Sequence, residues 1–307
     1  MRLLQVKLTN TSQTLFRQLA RFFGLAYAIS WLLWSPYYLP LGIPADQLPY
    51  FHLLGCMGPM LAALVLLYRE NGLAGIRQLG GRYRFGWQSV RWLAIGFGAP
   101  IALLLVIIGM TAPPVQQLFN WQGLFAGQEF GFLSPLSYIA VNIFFFGFGE
   151  EVGWRGFALP RLQTRYSAFT ANLILTGCWA IWHWPLFFNP LGGYMHMGAG
   201  EVIGWLFSLV TGGMLFTWLF NSSRGSVVAC ALFHSMMDVV FMADLNIPQL
   251  STYTGALITL WGLYIWLVYR PATLSPSPKV TVDVPESAGT AAEHAVYSIN
   301  ALSGSRL

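Results

Sequence analysis

Six ionisable residues stand where ionisable residues are costly: Glu150, Glu151, Arg155, His183, His234 and Asp238 all fall inside long apolar runs. One Asp, Lys or Arg at the centre of a membrane helix costs roughly 2.5 to 3.5 kcal/mol on an insertion scale, so such groups face a partner or a water-filled cavity. A glutamate and a histidine at one level suit general-base activation of a water. A second histidine can donate to the oxyanion of a tetrahedral intermediate. Hydrolysis of a peptide bond fits that set.

Helix geometry divides the labour. Arg155 follows Glu151 by four residues and shares its face, which reads as a structural ion pair. Glu150, about 100° round the helix, points elsewhere and is left for chemistry. A purely structural role for all three is the competing reading. If the segments around 150 and 183 form a hairpin turning near Tyr166 and Ser167, Glu150 lies about 16 residues before the turn and His183 about 16 after it. At 1.5 Å per residue both sit roughly 25 Å from the tip. Asp238 is one helical turn beyond His234 and on the same face. Gly147, Gly149, Gly153 and Gly156 flank the glutamates, and Gly149 with Gly153 makes the spacing that lets membrane helices approach closely.

The elements that must position these groups are apolar helices. The 307 residues are 56% hydrophobic and 9% charged, whereas about a quarter of a soluble domain is charged. Runs of about 20 residues, long enough to cross a bilayer, centre on 22–40, 51–68, 92–112, 134–158, 168–188, 202–220, 225–243 and 254–269. The expected fold is all-α: a polytopic membrane protein of about eight transmembrane helices with an intramembrane polar site. Its expected parts are an N-terminal cytoplasmic segment, 1–21, a membrane domain, 22–270, with its core at 134–243, and a disordered cytoplasmic tail, 271–307, rich in Ser, Pro, Ala and Thr.

Orientation follows from the basic residues, which accumulate in cytoplasmic segments. With the N-terminus inside, all 16 Lys and Arg fall on the cytoplasmic side or at a cytoplasmic helix end, except Arg155. The segments 41–50, 113–131, 189–199 and 244–253 carry none. Both termini are therefore expected in the cytoplasm, most naturally at a prokaryotic plasma membrane. The net charge of +5 is a topology signal, and no nucleic-acid partner is expected. Cys56, Cys178 and Cys230 lie in apolar stretches without paired spacing, which indicates neither disulfides nor a cysteine metal site.

The motifs resemble those of the CPBP family, the CAAX proteases and bacteriocin-processing proteins, also called the Abi family. The pattern EExxxR is met by Glu150, Glu151 and Arg155, within the bacterial-looking run EEVGWRGFALPRLQ. FxxxH is met at His183, with Trp179 in place of phenylalanine. A histidine followed four residues later by Asn or Asp is met by His234 and Asp238. The stretch from Gly58, Gly-Pro-Met-Leu-Ala-Ala, is similar to a less specific feature of the family's second span. The resemblance implies that Glu150 is the base of an intramembrane glutamic endopeptidase, with His183 helping to hold and activate the water. His234 and Asp238 would form the oxyanion side.

Trp179 is expected to alter packing beside His183 without removing chemistry. Asp238 stands where eukaryotic members carry asparagine. It is expected to orient His234 and favour its protonated form, or itself to be protonated, so Asp238→Asn should keep peptide cleavage. Total loss of cleavage would sink the second of these options and strain the first.

The implied partners are a membrane-associated peptide or protein, with the prenylated CAAX type as one candidate, and the lipid bilayer. No cofactor or metal is expected. A zinc version would need ligands among two His and two Glu, yet there is no HExxH and Glu151 is committed to Arg155. An aspartyl-type protease, suggested by Gly147-Phe148-Gly149-Glu150, lacks a second carboxylate motif. A membrane scaffold or bacteriocin-immunity protein that cleaves nothing would retain the same residues. A transporter is disfavoured because no inverted repeat is visible. His52, His196 and His294 fall near span ends or in the tail and are assigned no catalytic part.

Overall fold

The computed structural model describes residues 2–80, 87–111, 121–125, 128–243, 245 and 247–282. They are helices and turns, with no strand among the described residues. Backbone polar groups in hydrocarbon must pair within their own segment, and a helix does this for an apolar run.

Helix α1 spans Arg2–Leu33, so the polar N-terminal stretch and the first expected span share one rod. Helix α2, Leu48–Cys56, and α3, Gly58–Gly80, together make the second span. The break falls just ahead of Pro59, which has no N–H to continue the ladder. Helix α3 bends at Gly72, whose φ of 56° is open to glycine. Helix α4 is Trp87–Thr111.

The fifth rod, α5, runs from 135 to 165 without a break. It widens to π geometry over Asn142–Phe148 and again over Trp154–Ala158, on either side of the α-helical turn Gly149–Gly153. Helices α6, Ala168–Trp182, α7, Ala199–Ser222, α8, Val227–Met242, and α9, Leu250–Val268, complete the bundle.

The eight expected spans thus correspond to helical rods. Four segments, Ala45–Arg77, Ser89–Thr111, Ala199–Ser222 and Leu250–Val268, have both the length and the apolarity to cross a membrane on their own, and Val227–Met242 is apolar but shorter. The fifth expected span ends as an α-helix at Trp182 rather than reaching 188. The residues that follow, Trp184–Phe188, tighten to a 3-10 turn where Pro185 removes a donor.

Rod α5 lies at the centre, against α3 on one side and α8 on the other; α1 packs on α3, α8 on α4, and α7 on α6 and α9. Two glycines make that sandwich close. A Cβ at Gly147 would overlap Ser235 and the Ala231 carbonyl of α8, and one at Gly153 would overlap Pro59 of α3. Ser235 Oγ also donates to the Asn142 carbonyl at 3.1 Å, one of the carbonyls of the π-helical stretch. The turn between α5 and α6 falls at Tyr166 and Ser167, and Ser167 caps α6 by accepting from the Thr170 N–H.

Residues 271–282 do not form a detached tail. The Asn221 amide donates to the Thr273 carbonyl at 2.8 Å, and Asn221 Oδ1 accepts from the Val280 N–H at 3.0 Å. Gln163 donates to the Val280 carbonyl at 2.9 Å, and Thr164 Oγ1 accepts from the Val282 N–H at 3.2 Å. Leu274 is fully buried. Composition reads this stretch as disordered because it is poor in apolar side chains. It is held instead through its backbone, by amides on α5 and α7 that composition does not see. The remainder of the expected tail, 283–307, lies outside the described residues.

At the opposite end of the bundle His52 on α2 is buried. It pairs with Glu129 at 2.8 Å, and Glu129 also accepts from the Asn189 amide at 3.1 Å. The latch ties α2 to two connecting loops. Burial by itself would raise the Glu129 carboxyl, but the neighbouring His52 and the hydrogen bonds from His52 and Asn189 outweigh it and hold the group below its ordinary value. Its stabilising contribution is therefore complete above the ordinary glutamate value of about 4.3. It is lost as pH falls through the lower value of the folded protein. Glu129→Gln is expected to lower Tm near neutral pH and to flatten the acid-side fall in Tm. Thermal unfolding in detergent from pH 7 to pH 3 checks this, and an acid limb identical to wild type would refute it. His196 is exposed, and His294 lies outside the described residues.

Candidate active site

Three rods bring the ionisable residues of the apolar runs together. Glu150, Glu151 and Arg155 lie on α5, His183 caps the C-terminus of α6, and His234 and Asp238 lie on α8. Glu150, Glu151, Arg155, His183 and His234 are all buried.

Glu151 Oε1 accepts from Arg155 Nη1 at 2.8 Å and from His234 Nδ1, also at 2.8 Å. The arginine sits in an aromatic box, its Cζ 4.1 Å from the Phe216 ring centroid and 5.1 Å from that of Trp179. A guanidinium over aromatic faces gains cation–π attraction where little water competes. Glu151 is thus more than half of an ion pair, because the same oxygen holds the imidazole of His234. A carboxylate only accepts, so Nδ1 of His234 carries a proton and Nε2 faces away from Glu151.

That arrangement revises the expected role of Asp238. The carboxylate at hydrogen-bond distance from His234 is Glu151, whereas Asp238 Oδ2 lies 3.8 Å from Nε2, beyond direct hydrogen-bond reach. Asp238 Oδ2 has no hydrogen-bond partner among the described residues. The i,i+4 relation brings Asp238 to the correct face of α8, but α5 approaches Nδ1 more closely than one helical turn brings Asp238 to Nε2.

Glu150 is held by indoles. Trp154 Nε1 donates to Oε2 at 3.2 Å and Trp179 Nε1 donates to the same oxygen at 2.8 Å. Both indoles therefore donate to the same carboxylate oxygen. Trp179 therefore does more than pack beside His183, which is what its place in the FxxxH pattern suggested. Trp154 follows Glu150 by four residues, so the spacing rule that pairs Glu151 with Arg155 would also have found it. Trp179 comes from another rod and has no such local signal.

His183 is placed by the end of α6. Its Nδ1 donates to the Trp179 carbonyl at 2.7 Å, which leaves the Nε2 lone pair of the neutral ring as its acceptor. Carbonyls of the last turn of a helix lack intrahelical partners, and α1 supplies a donor for one of them, Trp31 Nε1 to Trp182 at 3.0 Å, while Tyr27 Oη donates to the Cys178 carbonyl one turn earlier at 2.6 Å. Trp182 Nε1 reaches Ser30 Oγ at 2.8 Å. The rings of Trp182, Tyr194 and Trp205 surround the imidazole at centroid distances of 4.9, 5.8 and 5.8 Å. Tyr194 and Trp205 are parts of this wall that the motifs do not announce.

Chemically, the cluster pairs a buried carboxylate, held through one oxygen by two indoles, with two imidazoles of different fixed orientation. One presents a lone pair and the other presents Nε2 beside a second carboxylate. Among the described residues no group of three or more His, Cys, Asp and Glu side chains is placed to hold a metal ion.

Residues 132–240 match the family model described as type II CAAX prenyl endopeptidase Rce1-like. The match spans α5 to α8 and includes every residue of the cluster. The chain is also similar to CAAX prenyl protease 2 of Methanococcus maripaludis, 23% identical over 189 residues that cover 60% of this chain and 69% of that protein.

Proposed function

We propose that this chain, similar over residues 132–240 to the Rce1-like CAAX prenyl endopeptidases, is an intramembrane endopeptidase in which Glu150 is the general base. A water held between Glu150 Oε1 and His183 Nε2 loses its proton to the carboxylate as it attacks the scissile carbonyl. His234 Nε2 and Asp238 line the side on which the oxyanion develops. With Nδ1–H given to Glu151, His234 acts as the imidazolium, whose Nε2–H donates to the oxygen while Glu151 keeps the ring in that orientation. Asp238, too far from Nε2 for a direct bond, is taken to be bridged to it through the substrate oxygen or a water. The proton taken up by Glu150 then passes to the leaving amine.

The observation that carries this reading is the convergence of Glu150, Glu151, His183 and His234, all buried, from three rods. Buried ionisable groups are expensive in an apolar bundle unless they are paired or used. The substrate is proposed to be a membrane-associated peptide of the CAAX prenyl type. The disposition of Lys and Arg supports cytoplasmic termini, and the bacterial-looking run from Glu150 favours a prokaryotic plasma membrane. The test is purified protein in detergent, wild type against Glu150→Ala, on a peptide library with and without a prenyl group. Wild type should yield products that the variant does not, and identical product profiles would defeat the assignment.

A further inference from the structure

We infer that Trp179 is a positioning residue for this proteolytic reaction: its indole N–H pins Oε2 of Glu150 and so turns Oε1 toward the reacting water. The inference rests on the reading of Glu150 as the base. Trp179 stands where the motif calls for phenylalanine, a ring that could fill the same space but could donate nothing. Here the indole donates to Glu150 at 2.8 Å and, with Trp154 at 3.2 Å, gives one carboxylate oxygen two donors. A glutamate has three rotatable side-chain bonds, and an unheld carboxylate samples orientations that do not address the water. Two N–H donors on one oxygen select a single orientation of the carboxylate plane, and hydrogen bonds to an ionised acceptor are the stronger kind.

The surroundings of Trp179 extend the same function. Its ring lies 5.1 Å from the Arg155 Cζ, 5.3 Å from the His183 ring and 5.6 Å from the His234 ring. Its backbone carbonyl is the acceptor for His183 Nδ1. One residue on α6 therefore registers the base on α5 against both histidines. The backbone contact survives a side-chain change, so His183 stays tied through Nδ1, and a variant that also keeps the bicyclic ring isolates the effect on Glu150. The indole is buried and its N–H is engaged by Glu150, so its loss is expected to act on orientation of the base rather than on substrate affinity.

Two variants separate donor from shape. Trp179→Phe keeps an aromatic ring in the pattern of the motif. Trp179→3-benzothienylalanine keeps the bicyclic outline and replaces the N–H by sulfur. Both are compared with wild type and Glu150→Ala on a peptide that wild type cleaves. Both Trp179 variants are expected to lose about tenfold or more in kcat, with KM within about twofold and, for the benzothienyl variant, an unchanged Tm. A benzothienyl variant with wild-type kcat overturns the inference, whether or not the phenylalanine variant folds. If Glu150→Ala is inactive while both Trp179 variants match wild type, this inference falls and the assignment of the base stands. If Glu150→Ala cleaves as wild type does, the assignment falls and takes the inference with it.

Discussion

Glu150→Gln is expected to lower kcat by about 10³-fold, within the range supplied by general-base catalysis, in a protein that keeps its fold. Glutamine has the outline of glutamate and keeps an oxygen that can accept from Trp154 and Trp179, the two donors now on Oε2. What it loses is the basic oxygen. Because the side chain is neutral, it also needs no compensation in the apolar core, so Tm should hold or rise slightly. Single-turnover cleavage of a substrate peptide, with thermal unfolding of the same preparation, measures both quantities. Cleavage within about tenfold of wild type would place the base elsewhere.

The second large effect is on stability. Arg155 is 1% exposed, and its charge is balanced by Glu151, itself at 0%. Arg155→Met leaves the Glu151 carboxylate in the core with His234 to balance it. Breaking a buried pair by removing one member costs about 3 to 5 kcal/mol. A fall of that size should appear as a marked loss of Tm in detergent. The double variant Arg155→Met with Glu151→Gln should recover much of it, because removing both charges of a buried pair is close to neutral. Cleavage should not recover with it, since His234 Nδ1 then faces an uncharged amide in place of a carboxylate. A single Arg155→Met protein with wild-type Tm would contradict this account. A double variant recovering both stability and cleavage would mean that Glu151 has no part in holding His234.

The contrast between Glu151 and Glu150 explains what could be read from the chain. The partner of Glu151 four residues on is a consequence of helix period, which needs no tertiary information. The same period connects Glu150 to Trp154, a contact that is easily overlooked because tryptophan carries no charge. In a set of 13 tryptophans, nothing local marks Trp179 as the donor to Glu150. Similarly, Asp238 looked like the natural partner for His234 because it is one turn away on the same helix. A turn brings two side chains to one face but leaves 3.8 Å between these atoms, whereas α5 delivers Glu151 to 2.8 Å.

The amino-acid sequence by itself determined the helical class, the approximate position of each rod, and the cluster of residues too polar for their surroundings. These follow from transfer energies and helical periodicity, which act residue by residue along one segment. Only the tertiary structure decided which carboxylate orients His234 and which indole holds Glu150. It also decided that residues 271–282 dock on α5 and α7. Those contacts depend on how rods from distant parts of the chain are set against each other. That setting is governed by close approaches such as Gly147 on α8 and Gly153 on α3, where the absence of a side chain determines the distance.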